Sequence, residues 1–156
     1  MAGFAATNRI TNPVLGPLLR GVAGRWLGRS LLLMRCQGRR TGRPPEVVVQ
    51  YARSGPTIWV LVGKSDRTTW WRNLQAPADV DLWLAGERFR ARAVAVIGAE
   101  QPAEARRGLT AYLARLPRAA RAVGLGSTAD PEAVGEAAAR VVLVRADLSP
   151  DPGEAA

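Results

Sequence analysis

Gly38-Arg39-Arg40-Thr41-Gly42-Arg43-Pro44-Pro45 stands between two apolar runs, and about thirty residues later comes Thr69-Trp70-Trp71-Arg72-Asn73-Leu74. The first segment gathers cations, backbone N–H donors and a hydroxyl where a chain reversal can aim them at one anion. Glycine permits the positive φ that turns successive N–H groups inward, and arginine supplies forked donors for phosphate oxygens. The second segment offers flat aromatic surface and an amide, with another cation, Arg67, close by. Together they describe a site for a ligand with a phosphate tail and a planar ring.

Composition removes most other chemistry. The chain has no histidine, which excludes His-based acid–base catalysis, Ser-His-Asp triads and the common zinc and haem sites. Its single cysteine, Cys36, cannot form an intramolecular disulfide and fits a reducing, cytoplasmic compartment. No neighbouring motif marks Cys36 as a reactive thiol. Any reaction here therefore uses chemistry carried by a cofactor, with no protein metal site.

The net charge of +9 raises nucleic acid or an anionic membrane as partners. Of the 22 cationic residues only Lys64 is lysine, and alanine and glycine are abundant. That mixture is the mark of GC-rich coding, with arginine on ordinary solvated surface. No nucleic-acid motif is present, so nucleic acid is the disfavoured partner.

At 156 residues and 47% hydrophobic content, the chain is one domain with a real core. No apolar run is long enough to span a membrane, and the N-terminus lacks the pattern of a signal peptide. Val14, Leu15, Leu18, Leu19, Val22 and Trp26 recur at helical spacing among Arg20, Arg25 and Arg29. This amphipathic helix docks on the core or lies on a bilayer surface, the former being favoured.

After it the period changes. Leu31–Cys36 reads as a strand running into the arginine turn. Glu46–Ala52 and Thr57–Val62, joined by Ser54-Gly55-Pro56, read as a hairpin buried on both faces. Thr68 or Thr69 can cap a short helix through Gln75. Val80–Leu84 and Arg88–Ile97 form a second hairpin, with Arg88, Arg90 and Arg92 on one face and Phe89, Ala91 and Ala93 on the other. Helices over Pro102–Arg115 and Pro131–Arg140 precede a last strand, Val141–Arg145. Antiparallel strands with a few helices describe an α+β domain built on a small barrel.

The order of strand, Gly-Arg-Arg-Thr-Gly turn, two strands, lysine-bearing loop and Trp-x-x-Asn-Leu helix resembles the deazaflavin-dependent nitroreductase family. The resemblance covers roughly Leu31–Val96. It implies a split β-barrel with an N-terminal helix and peripheral helices, over one domain, 1–148. Residues 1–29 are then the N-terminal helical segment, 30–97 the barrel strands with the cofactor motif, 98–148 the helices and last strand, and 149–156 a disordered tail. It implies coenzyme F420 as cofactor, with hydride transfer from C5 of its ring to a small hydrophobic enone, quinone or nitro acceptor. Arg39, Arg40, Thr41 and Arg43 then face the phosphate-bearing tail. Gly63, Lys64, Ser65 and Arg67 approach ring and phosphate, while Trp70 and Asn73 frame the pocket. No ionisable catalytic residue is implied, and a homodimer is. Where the family has Pro-Arg and a small polar residue after the turn, this chain has Pro44-Pro45-Glu46, placing a carboxylate near the anion's path. FMN is accordingly the alternative cofactor, in an enzyme or a carrier. In the late helical region Leu116-Pro117-Arg118-Ala119 stands where better-known members carry tyrosine.

Overall fold

The computed structural model describes residues 31–36, 46–63, 65–126 and 130–150. The predicted N-terminal helix, the Gly38–Arg43 turn, Lys64 and residues 151–156 of the predicted tail lie outside the described residues. Seven strands follow from the apolar runs: β1 (Leu31–Arg35), β2 (Glu46–Gln50), β3 (Ala52–Ser54), β4 (Thr57–Leu61), β5 (Ala78–Leu84), β6 (Glu87–Ile97) and β7 (Val142–Leu148). They form one sheet, entirely antiparallel, in the order β2-β1-β5-β6-β7-β4-β3.

The two edge strands of that sheet, β2 and β3, are separated in the chain only by Tyr51. One run therefore pairs β1 with its first half and β4 with its second. The sheet must curl until its edges meet at Tyr51, which makes it a split barrel. This also corrects the predicted hairpin. Only its tip forms, Ala52–Ser54 against Thr57–Trp59 across Gly55 at φ +60°, because Glu46–Gln50 is taken by β1. Burial on both faces is as predicted, since Val47, Val48 and Val49 are all buried.

Alternation divides each strand between an inner and an outer face. Inside lie Leu32, Met34, Val47, Val49, Ile58, Val60, Leu82, Val144 and their neighbours. Phe89 and Ile97 of strand β6 pack half-buried against this interior, and its buried contributions there are Ala91, Ala93 and Ala95. Such small side chains leave room, which Trp70, Trp71 and Leu74 occupy from a 3-10 helix, Trp70–Leu74, packed against β6. The β5–β6 hairpin turns through Ala85 and Gly86, both at positive φ, the turn whose twist matches its strands. On its outer face Arg88 pairs with Asp81 and Arg92 with Asp79, each at 3.1 Å. The predicted division of arginines from Ala91 and Ala93 holds, since the arginines are exposed and both alanines buried.

Helix α1 (Pro102–Arg115) matches its predicted bounds and buries Ala105, Gly108, Leu109 and Tyr112 on one stripe against the outer face of the sheet. Helix α2 (Pro131–Ala138) starts where Asp130 accepts a hydrogen bond from the Ala133 N–H at 2.8 Å. It ends short of the predicted Arg140. Strand β7 runs on to Leu148 because its outward residues find partners: Arg145 reaches Glu104 of α1 at 2.6 Å, and Asp147 accepts from the Thr57 hydroxyl at 3.0 Å. A second 3-10 helix, Pro117–Val123, has no counterpart in the sequence reading.

Gly108 lets α1 approach the sheet closely. A Cβ there would lie 2.4 Å from the Trp59 ring. Alanine would gain about 1 kcal/mol in helix propensity, but overpacking against a buried indole costs about 1–3 kcal/mol. The steric term wins because β4 holds Trp59 between two paired strands. Gly108→Ala should therefore lower the denaturation midpoint, and a higher midpoint in urea would show that α1 can shift outward freely.

Candidate functional site

Strand β4 delivers the chain to the site. One bond beyond the ladder, the Val62 N–H donates to Val142 O at 2.9 Å, and the chain then leaves the sheet at Gly63. The following loop is laced to the short helix it leads into. The Trp71 indole N–H donates to the Ser65 carbonyl at 3.1 Å, and the Thr68 hydroxyl reaches the Gly63 carbonyl at 3.5 Å. The helix itself starts with the Arg72 N–H on Thr69 O at 3.0 Å. Thr69 makes no side-chain cap, because its backbone is already near-helical (φ −117°, ψ −12°) instead of in the extended form that aims a hydroxyl at the first turn.

Of the residues nominated here, Asn73 turns its amide back on its own helix, donating to Trp70 O at 3.1 Å. Trp70 is 3% exposed, so its ring belongs to the core, yet its buried Nε1–H has no acceptor. Arg67 is exposed, and Gly63 and Ser65 are half-buried. Arg72, which the sequence did not single out, is exposed with its guanidinium 5.7 Å from the centre of the Trp71 ring. Arg39, Arg40, Thr41, Arg43 and Lys64 lie outside the described residues.

The arginine segment is rooted in the same core. Cys36 leads into residues 37–45 and Val62 into Gly63, and both share the inner cluster with Trp70 and Trp71. Where the segment ends, Glu46 sits opposite Arg35 in the β1–β2 ladder. Arg35 donates through Nε (3.1 Å) and Nη2 (2.9 Å) to a single oxygen, Glu46 Oε1. The same guanidinium lies 5.0 Å from the centre of the Trp83 ring. The carboxylate that departs from the family pattern is thus held by a cation of its own strand pair. Opposite charges at the two ends of a turn were the available signal for this pair.

A planar anionic cofactor fits this donor set. A buried indole N–H without an acceptor calls for one, and Arg67 and Arg72 supply charge from the loop and helix. The one carboxylate between Gly63 and Leu74, Asp66, is exposed. A separate cleft of about 240 Å³ opens between α1 and β3, β4 and β7, lined by Ser54, Thr57, Glu104, Arg107, Arg145 and Asp147 among others. Its charges already engage one another, Arg107 with Glu104, Glu104 with Arg145, and Arg145 with Asp147. It fastens α1 to the sheet. Among the described residues no cluster of acidic or cysteine side chains could hold a metal ion.

The curled antiparallel half-barrel of seven strands, with its Trp-x-x-Asn-Leu helix in the inner core, is a split barrel. Residues 18–122 match the model of the F420H(2)-dependent quinone reductase family, and the chain belongs to that family. Its cofactor is coenzyme F420. Among solved structures the chain is similar to a candidate 5-nitroimidazole antibiotic resistance protein from Bacteroides thetaiotaomicron. The TM-score is 0.50 at 10% identity, over 91% of this chain and 83% of that one. A protein of unknown function from Agrobacterium tumefaciens aligns with a TM-score of 0.48 at 16% identity, over 92% and 64%. The first of these shows the fold alone. No curated protein matches the sequence.

At the root of the arginine segment, burial pushes the Cys36 thiol up from 9.0 to about 12. Burial likewise pushes the Tyr112 phenol from 10.0 to about 12. Both groups hold their protons more tightly when folded, so their contribution is complete below the unfolded values. It is lost as pH rises from about 9 towards 12. Melting temperature should therefore fall over that range, and more shallowly in Cys36→Ala than in the parent. Identical slopes would mean that Cys36 ionises in the native state without penalty. At neutral pH the native thiol should resist a disulfide reagent until denaturant is added.

Proposed function

We propose that the chain binds reduced F420 between the arginine segment and the Gly63–Thr69 loop and passes its hydride to a quinone. The observation that carries this reading is the common root of the two motifs. Cys36, Val62, Trp70 and Trp71 belong to one buried cluster, and Trp71 fixes the loop through Ser65. Motifs anchored in one core are held at a set separation, as a rigid two-ended ligand requires.

The residues divide the work by charge. Arg39, Arg40, Thr41 and Arg43 take the phosphate-bearing tail, where forked donors and backbone N–H groups match its oxygens. Gly63, Lys64, Ser65 and Arg67 adjoin the ring, and Trp70 and Asn73 set the shape of its pocket. The unpartnered Trp70 Nε1–H is the buried donor available to a ring acceptor. When bound, F420 supplies a hydride from C5. The protein's part is to orient the ring, exclude water and stabilise negative charge developing on the acceptor. A quinone accepts the hydride at one end of its conjugated system, and a solvent proton completes the quinol. The family's name favours a quinone over the enone and nitro compounds that the same chemistry would reduce.

Fluorescence titration and thermal shift with F420 and FMN test the assignment. F420 should bind saturably and raise the melting temperature. Arg40→Ala combined with Lys64→Ala should weaken F420 binding about a hundredfold or more, with the ligand-free melting temperature unchanged. That follows from two charge-assisted hydrogen bonds of at least about 1.5 kcal/mol each. Binding of FMN in preference to F420 would replace the cofactor assignment, and binding of neither would sink the reading. With F420 bound, oxidation of the reduced cofactor by a soluble quinone should be faster than by a nitroaromatic of similar potential.

A further inference from the structure

From Ala105 to Ala129 the sequence has five arginines and no carboxylate. Arg115 closes α1, and Arg118 and Arg121 follow on the 3-10 helix Pro117–Val123. Three residues make one turn of such a helix, so Arg118 and Arg121 stand directly in line on one side. All three arginines are exposed, while Leu116, Ala119, Ala120 and Val123 between and beside them pack inward against the cluster of Leu109, Tyr112 and Leu125. The corner thus shows cations outward on an apolar base.

What sets these arginines apart is their spacing, three in seven residues on one corner. It is not the want of a carboxylate alone, which Arg53, Arg67, Arg72, Arg90, Arg106 and Arg140 share among the described residues. Arg35, Arg88, Arg92, Arg107 and Arg145 each hold a carboxylate. Among the described residues Arg115, Arg118 and Arg121 hold none, and Glu132 and Glu136 of α2 form no ion pair with them. Glu104 is already shared by Arg107 and Arg145, and Asp130 caps α2. Through Leu61, buried in the same cluster as Leu125, this corner also shares its base with the strand that delivers the Gly63 loop.

We propose that the Arg115–Arg121 corner docks the protein on an anionic lipid surface, through which a lipid-borne quinone reaches the cofactor site. Arginine heads would meet lipid phosphates while their stems lie along the interface. The access route rests on the quinone reading above; the docking does not.

Co-sedimentation of the whole chain with vesicles tests the docking. Vesicles with about a third phosphatidylglycerol should bind the protein, pure phosphatidylcholine vesicles should not, and added salt should weaken binding. Each cation near an anionic surface is worth about fivefold in partitioning. The Arg115→Gln/Arg118→Gln/Arg121→Gln variant should therefore bind about a hundredfold more weakly. Its melting temperature and F420 affinity should be unchanged, since all three side chains are exposed. Arg88→Gln/Arg90→Gln/Arg92→Gln is the control for net charge. An equal loss in both triple variants would overturn the proposal in favour of undirected attraction. So would absence of vesicle binding, or tighter binding to duplex DNA than to the vesicles. Loss of vesicle binding with F420 affinity retained separates this corner from the cofactor site. Failure to bind F420 with vesicle binding intact would instead remove only the quinone route.

Discussion

The fold turns on a single residue's worth of chain. Tyr51 separates the strand that pairs β1 from the strand that pairs β4, and these two are the outer edges of the sheet. An open seven-stranded sheet would leave both edges unpaired and its inner face wet. With the edges joined by one residue, closure is imposed by connectivity, and the inner face becomes a core without a covering layer. The helices are then free to pack outside, where α1 and α2 bury a second cluster around Trp59, Leu109 and Leu143.

Closure also explains where the Trp-x-x-Asn-Leu helix lies. A barrel interior narrow enough to be filled by side chains has space to be plugged, and β6 leaves it where its buried inward residues are Ala91, Ala93 and Ala95. The Trp70–Leu74 helix fills it with two indoles and a leucine. Because that plug has to be held, the loop before it is tied down through Ser65 and Gly63. The loop before the short helix is therefore held for a packing reason.

Much of this was legible in the residues. Strand positions followed from apolar runs rich in Val and Ile and, in β6, from two-residue alternation, and the helical reading of Pro102–Arg115 matched α1. Three features were not. The Glu46–Gln50 half of the hairpin read over Glu46–Ala52 and Thr57–Val62 was misplaced because a run buried on both faces does not say which neighbour buries it. The 3-10 helix after Pro117 has too short a period to stand out among alanines and arginines. The Arg35–Glu46 pair left only a weak signal, opposite charges at the two ends of the turn, until β1 and β2 were in register. Trp70 was legible as a site residue or as core, and its position answers that its ring is core while its N–H is not satisfied there.

The interior is chemically inert in a way that suits its cofactor. The described core holds a thiol and a phenol, and burial raises both to about 12, so both stay neutral at physiological pH. No histidine exists in the chain to take or give a proton. A reaction that needed a protein acid or base would find none inside this barrel. Hydride transfer from a bound ring needs none. It asks for fixed distance, exclusion of water and donors aimed at developing charge. A curled sheet whose closure is dictated by its own connectivity meets the first two demands.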